Sequence, residues 1–174
     1  ATQVWNYMKS LGWSDAVCAG IMGNIMAEVG GQTLNINPYS SSSSYYGMCQ
    51  WSKRYYPQII GGSLEDQCDF LRDTIRKEIN TYGSNYASGM NYEKFLQLDD
   101  PQDVALCFAK AYERCGSGSY GVRQSNAVKA YQYFVYHKGD VLNLTPIIPY
   151  EIIMVILCLT ISLFYSRQNQ KIGR

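Results

Sequence analysis

The chain has 174 residues, of which 47% are apolar and 17% charged, with a formal net charge of +1. That length supports one compact domain with a core plus an appendage, and the composition excludes a disordered chain. Residues 1–140 carry twelve Lys/Arg against thirteen Asp/Glu, so there is no broad basic patch and nucleic acid is excluded as an expected partner.

The single histidine is His137, and none of Cys18, Cys49, Cys68, Cys107, Cys115 and Cys158 forms a CxxC pair. No metal site and no cofactor are therefore expected. The cysteines read either as one or two disulfides in an oxidising compartment or as small buried hydrophobes. The chain begins at Ala1 with no signal peptide, which reads as a processed chain or a fragment. Sixteen tyrosines supply flat apolar faces with a polar edge, suited to sugar rings as well as to cores.

Residues 2–10 predict a short helix with Val4, Trp5 and Met8 on one side, closed by Leu11-Gly12. Ser14 is placed to cap a second helix running to about Val29, with Asp15 in its first turn. In that helix Val17, Ile21, Asn24 and Glu28 recur at spacings of four, three and four, and Cys18, Met22, Ile25 and Val29 repeat them. The two rows make a wide apolar stripe with Glu28 on its edge. An acid in the last turn opposes the helix dipole, so Glu28 reads as functional and not stabilising. Apolar surroundings would hold its carboxyl neutral and able to donate a proton.

Gly30 and Gly31 end the helix, and residues 31–50 lose helical period. Asn35, Asn37, Pro38 and the serines Ser40 to Ser44 are turn formers, so a long loop is expected, with a short hairpin around Tyr45 to Trp51. In Tyr46-Gly47-Met48-Cys49-Gln50-Trp51 the glycine permits close backbone approach, the glutamine offers donor and acceptor, and the tryptophan offers a sugar face. Ser63 caps a strong helix whose inner face is Leu64, Cys68, Leu71, Ile75, Ile79 and Tyr82, stopped by Gly83. A shorter helix is expected around Tyr92 to Leu98. Asp100-Pro101 starts another, with Val104, Cys107, Phe108, Ala111 and Cys115 inward and Tyr112-Glu113 late in it, where an aromatic can line the opposite wall. A last helix spans about 122–137, with Ala127, Tyr131, Phe134 and Val135 inward. The domain is expected to be mainly α.

From Ile147 to Tyr165 one charge, Glu151, occurs in nineteen residues, a length that matches the hydrocarbon thickness. The expected layout is a domain at 1–138, a linker at 139–148, a single C-terminal hydrophobic helix crossing a membrane at 149–166, and a basic tail at 167–174. The positive end would stay cytoplasmic, leaving residues 1–140 on the extracytoplasmic side of the membrane.

Gly20-Ile21-Met22-Gly23-Asn24, Ala27-Glu28, Asn37-Pro38, Ser40 and Tyr46-Gly47-Met48-Cys49-Gln50-Trp51 together resemble the phage tail lysozyme family, within the lysozyme-like superfamily that includes lytic transglycosylases. Gln67-Cys68-Asp69-Phe70-Leu71, Tyr112-Glu113-Arg114 and Arg123 followed by Ala127 extend the likeness over about residues 2–136. The resemblance implies a lysozyme-like fold, α+β with minimal β. It also implies cleavage of the β-1,4 bond between N-acetylmuramic acid and N-acetylglucosamine in peptidoglycan. It carries the catalytic role to Glu28, and positioning of substrate or glutamate to Ser40 and Gln50. The substrate-binding set is then Ser40, Tyr46, Gly47, Gln50, Trp51, Tyr112 and Glu113.

Members occur in phage tails and in wall-degrading proteins of mobile elements, so a virion tail or a larger phage or secretion assembly is the alternative to a membrane anchor. No Asp or Glu lies between Val29 and Gly62. A second acid would have to come from Glu65, Asp66 or Glu113, and the gap favours a single-acid route. Two other readings stay open: a non-catalytic glycan-binding module, and a membrane-perforating structural component.

Overall fold

The computed structural model describes residues 1–137. Among the described residues there are six α-helices and one minimal hairpin: α1 (Thr2–Ser10), α2 (Asp15–Val29), β1 (Tyr45–Tyr46), β2 (Trp51–Ser52), α3 (Leu64–Tyr82), α4 (Tyr92–Leu96), α5 (Pro101–Phe108) and α6 (Tyr120–Tyr131). The predicted mainly helical class holds, with its minimal β component. The membrane-spanning stretch expected at 149–166, its linker and its basic tail lie outside the described residues. Among the described residues no helix is long and apolar enough to cross a membrane.

The caps form where the residue types require them. Ser14 Oγ accepts from Val17 N at 3.1 Å. Ser63 and Asp66 make a reciprocal capping box at the start of α3. Asp100 caps α5 with Pro101 at its first position. Gly83 ends α3 but leads directly into a 3-10 turn, Gly83–Asn85.

One expectation is corrected in α2. The apolar stripe is not one-sided: every residue from Ala16 to Met26 is buried, so α2 is the central helix of the domain. Two glycines allow this enclosure. A Cβ on Gly20 would lie 2.8 Å from the Ala105 amide nitrogen, and one on Gly23 would lie 2.6 Å from the Arg123 carbonyl oxygen. Gly20 therefore admits the backbone of α5, and Gly23 that of α6. Asn24, wholly buried, donates to the carbonyls of Gly20 at 2.9 Å and Ala105 at 3.1 Å. At the domain's other end, Trp5 of α1 stacks on Phe134 with ring centroids 4.3 Å apart. The five described cysteines are free thiols, and four are buried.

Candidate active site

Residues 31–62 form one wall of the site, ordered by local hydrogen bonds together with the burial of Tyr46, Met48, Cys49, Trp51 and Ile59. The hairpin pairs Tyr45 with Ser52 and Tyr46 with Trp51. The turn between the strands carries Gly47 at φ +86° and Gln50 at φ +47°. Gly47 cannot bear a side chain, because a Cβ would meet Gln67 Oε1 at 2.7 Å and the Trp51 ring at 3.0 Å. Gln67, wholly buried in α3, accepts from the Met48 amide at 2.8 Å and so fastens the turn to the helical body. Gln50 Nε2 donates to the carbonyls of Gly47 at 2.8 Å and Ser40 at 3.2 Å. Ser40 also accepts from the Gly47 amide at 2.9 Å. Ser40 and Gln50 are thus bonded to each other's segment, and Ser40 acts through its backbone oxygen.

Tyr46 is buried and donates from its hydroxyl to the Gly62 carbonyl at 3.1 Å, closing the far end of the loop. Trp51 is expected to offer a sugar face and Tyr112 to line the opposite wall; both rings are buried, and both line the cleft. Trp51 Nε1 donates to the Tyr112 hydroxyl at 3.0 Å, and that hydroxyl lies 2.7 Å from Thr74 Oγ1. Trp51 packs edge-on against Phe70 at 5.3 Å. The two rings brace helix α3 against the hairpin and form the floor of a cleft of about 250 Å³, which Cys49, Gln50, Glu113 and Arg114 also line. The exposed rings at this cleft are Tyr45, 49% accessible, and Tyr55, 71% accessible. Neither was singled out as a site residue from the sequence, although both belong to the aromatic-rich run around the hairpin.

Glu28 flanks this cleft and is not among the residues lining it. Its side chain is one-fifth exposed, at the last turn of α2. The expected wholly apolar surroundings are corrected: the guanidinium of Arg123 in α6 donates from Nη2 to Glu28 Oε1. Arg123 also donates from Nη1 to Asn24 Oδ1 at 3.0 Å and from Nε to Ser119 Oγ at 3.2 Å. Its side chain is only 5% exposed. Asn24 and Arg123 are therefore site residues that the sequence reading missed. The available signal was an arginine on the same helical face as Ala127 and Ala130, an inward face that must give a cation a partner.

A second carboxyl stands at the cleft. Beyond α5 the chain widens into a π-helical turn, Ala109–Glu113, and then passes through Arg114 at φ +51°. Glu113 is half-buried as a residue, yet its Oε1 is sealed from solvent and has no hydrogen-bond partner among the described residues. Burial, and then the Glu28 charge, push the Glu113 carboxyl up to about 8, partly offset by Arg123. Burial and the same two carboxyls push the Cys49 thiol well above its usual range. Asp66 is held by the α3 cap, and Glu65 is exposed on the same first turn. Glu78 reaches the cleft but pairs with Arg114.

Among the described residues no His, Cys, Asp and Glu cluster is arranged to hold a metal ion. A search of curated proteins finds no match to this chain. The family model described as phage tail lysozyme matches residues 1–134, nearly the whole of the described domain. A match over that length, on a mainly helical domain whose central helix ends in Glu28, shows that the chain belongs to the phage tail lysozyme family.

Proposed function

We propose that this protein is a glycosidase that cuts the β-1,4 bond between N-acetylmuramic acid and N-acetylglucosamine in peptidoglycan, with Glu28 as general acid. The observation that carries the reading is the placement of Glu28: a side chain one-fifth exposed in the last turn of a mostly buried helix, close enough for its charge to act on Cys49 and Glu113, which line the cleft at the Gln50 turn. Glu28 protonates the glycosidic oxygen as the bond to the sugar carbon breaks. Arg123 holds the carboxyl in place and balances the charge that remains on it. Asn24 and Ser119 fix the guanidinium in turn, so the acid is aimed by a bonded set and not by packing alone.

A single-acid route is the one the surroundings support. The remaining carboxyl at the cleft that no arginine bonds is Glu113, and burial keeps it from serving as an ionised base or nucleophile near neutral pH. The acetamido group of the substrate then stabilises the positive charge at the sugar. The exposed rings of Tyr45 and Tyr55 offer stacking faces for the strand, while Gln50, Gly47 and Ser40 set the wall's shape. The setting we infer is local opening of a cell wall by a phage tail or by related machinery of a mobile element.

The test is digestion of purified sacculi by the full chain, with the soluble products read by mass spectrometry. Disaccharide-peptides are expected. Anhydro-muramyl ends would assign intramolecular closure by the 6-hydroxyl, and reducing muramyl ends would assign attack by water. Sacculi bound but not cut would overturn the reading in favour of a glycan-binding module.

A further inference from the structure

We propose that Thr74 is a positioning residue for the cleft: it lines no part of it, and it sets the spacing of the two walls through the Tyr112 hydroxyl. The role rests on the glycosidase reading above for its ligand, a glycan strand. It concerns how the strand is held and not how its bond is cut.

The donors and acceptors fix the direction of one hydrogen-bond chain. The Trp51 indole can only donate, and it donates from Nε1 to the Tyr112 hydroxyl at 3.0 Å. The buried Tyr112 hydroxyl then needs an acceptor for its own hydrogen. Thr74 Oγ1, 2.7 Å away, supplies it. Thr74 in turn donates to the Phe70 carbonyl at 2.7 Å, one turn back along α3. Every hydroxyl in the run from Trp51 through Tyr112 and Thr74 to Phe70 thus both accepts and donates. The run also closes on itself in packing, because the Phe70 ring is the one that Trp51 meets edge-on.

The chain joins the two sides of the cleft to a rigid element. Trp51 follows Gln50 in the hairpin wall, and Tyr112 precedes Glu113 and Arg114 in the π-helical turn. A two-residue strand and a single π-helical turn are weak frames, and Gln50 and Arg114 both carry positive φ. Helix α3 is nineteen residues long, and Thr74 stands near its middle. The separation of the walls is therefore set by side chains bonded to α3.

The acid is held by a separate set. Glu28 is bonded to Arg123, and Arg123 to Asn24 and Ser119. None of these four bonds to Trp51, Tyr112 or Thr74 among the described residues. Thr74→Val keeps the side chain's shape and removes its oxygen. Tyr112 is then left with a buried O–H and no acceptor, and its ring must move, together with both walls. Strand binding should suffer, and the chemical step should not.

Two measurements on the full chain test this: calorimetric titration with N-acetylchitotetraose, and kinetics on soluble glycan strands freed of their peptides. In Thr74→Val the dissociation constant and KM are each expected to rise about tenfold, with kcat within about threefold of the wild type. Thr74→Ser keeps the hydroxyl and should restore both. In a Tyr112→Phe background, where no hydroxyl needs an acceptor, Thr74→Val should weaken binding no further. A Thr74→Val chain that binds sugar as the wild type does overturns the proposal, even if it unfolds in less urea. So does a loss confined to kcat, a Thr74→Ser chain as weak as Thr74→Val, or a full further loss in the Tyr112→Phe background. A wild type that binds no N-acetylchitotetraose overturns it too. Failure of the glycosidase reading would look different: sugar binding with this same pattern across the variants, but no product released from strands or sacculi.

Discussion

The helical body and the hairpin wall are built by different means. In the body, α2 packs against both α5 and α6, and its few polar side chains are bonded across long chain separations: Arg123 to Glu28 spans 95 residues, and Asn24 to Ala105 spans 81. In the wall, residues 31–62 combine short-range bonds such as Ser40 to Gly47 and Gln50 to Gly47 with two ties to the body, Met48 to Gln67 and Trp51 to Tyr112. The body places the acid; the wall shapes the cleft and exposes the tyrosine rings. A side chain held by the body gains rigidity, whereas the exposed stretch from Gly31 to Tyr45 is held by local bonds and can adjust with less disturbance of the core.

Breaking the body should cost the most. Arg123→Ala leaves Glu28 and Asn24 without their donor in a buried position, and a loss of about 3–5 kcal/mol is expected in urea unfolding. Gly23→Ala drives a methyl group into the backbone of α6, 2.5 Å from the Ala127 amide nitrogen and 2.6 Å from the Arg123 carbonyl, and should cost about 3 kcal/mol. A Gly23→Ala melt equal to that of the wild type would show that the helices are not in close contact there.

Glu113, where body and wall meet, gives the comparison a pH dependence. Its folded carboxyl holds a proton more tightly than the unfolded one, whose ordinary value is 4.5, so its contribution to stability is complete below that pH and is lost as pH rises through about 8. Wild-type stability should therefore decline over that window, and E113Q should decline less. Parallel declines in urea midpoint would contradict the burial assigned to this carboxyl.

The wall is the cheaper region to disturb. Gln67→Ala leaves the Met48 amide without its acceptor and should cost about 1–2 kcal/mol. Amide exchange should accelerate around Gly47 to Trp51 more than in α2. Equal acceleration in both would dissolve the distinction between the regions.

The same difference explains what was legible in the sequence. Ser14, Ser63 and Asp100-Pro101 announce helix starts because capping is a local bond, readable within four residues. The hairpin was legible for a similar reason, from glycine between aromatic runs. Glu28 stood out because it ends an apolar helix on the wrong side of the dipole. Its partner Arg123 was not legible, since spacing within one helix says nothing about which distant helix packs on it. Trp51 and Tyr112 could not be told from exposed platforms, because an aromatic fits a core or a sugar face equally well. Burial decided between the two, and it left Tyr45 and Tyr55 as the open rings.

The central claim is that Glu28 supplies the proton that cleaves the glycan. Sacculi treated with the full chain and with Glu28→Gln, with soluble muropeptides quantified by mass, test it most directly. The variant is expected still to sediment with sacculi while product release falls by about a thousandfold. A variant that releases muropeptides within a few-fold of the wild-type rate would contradict it.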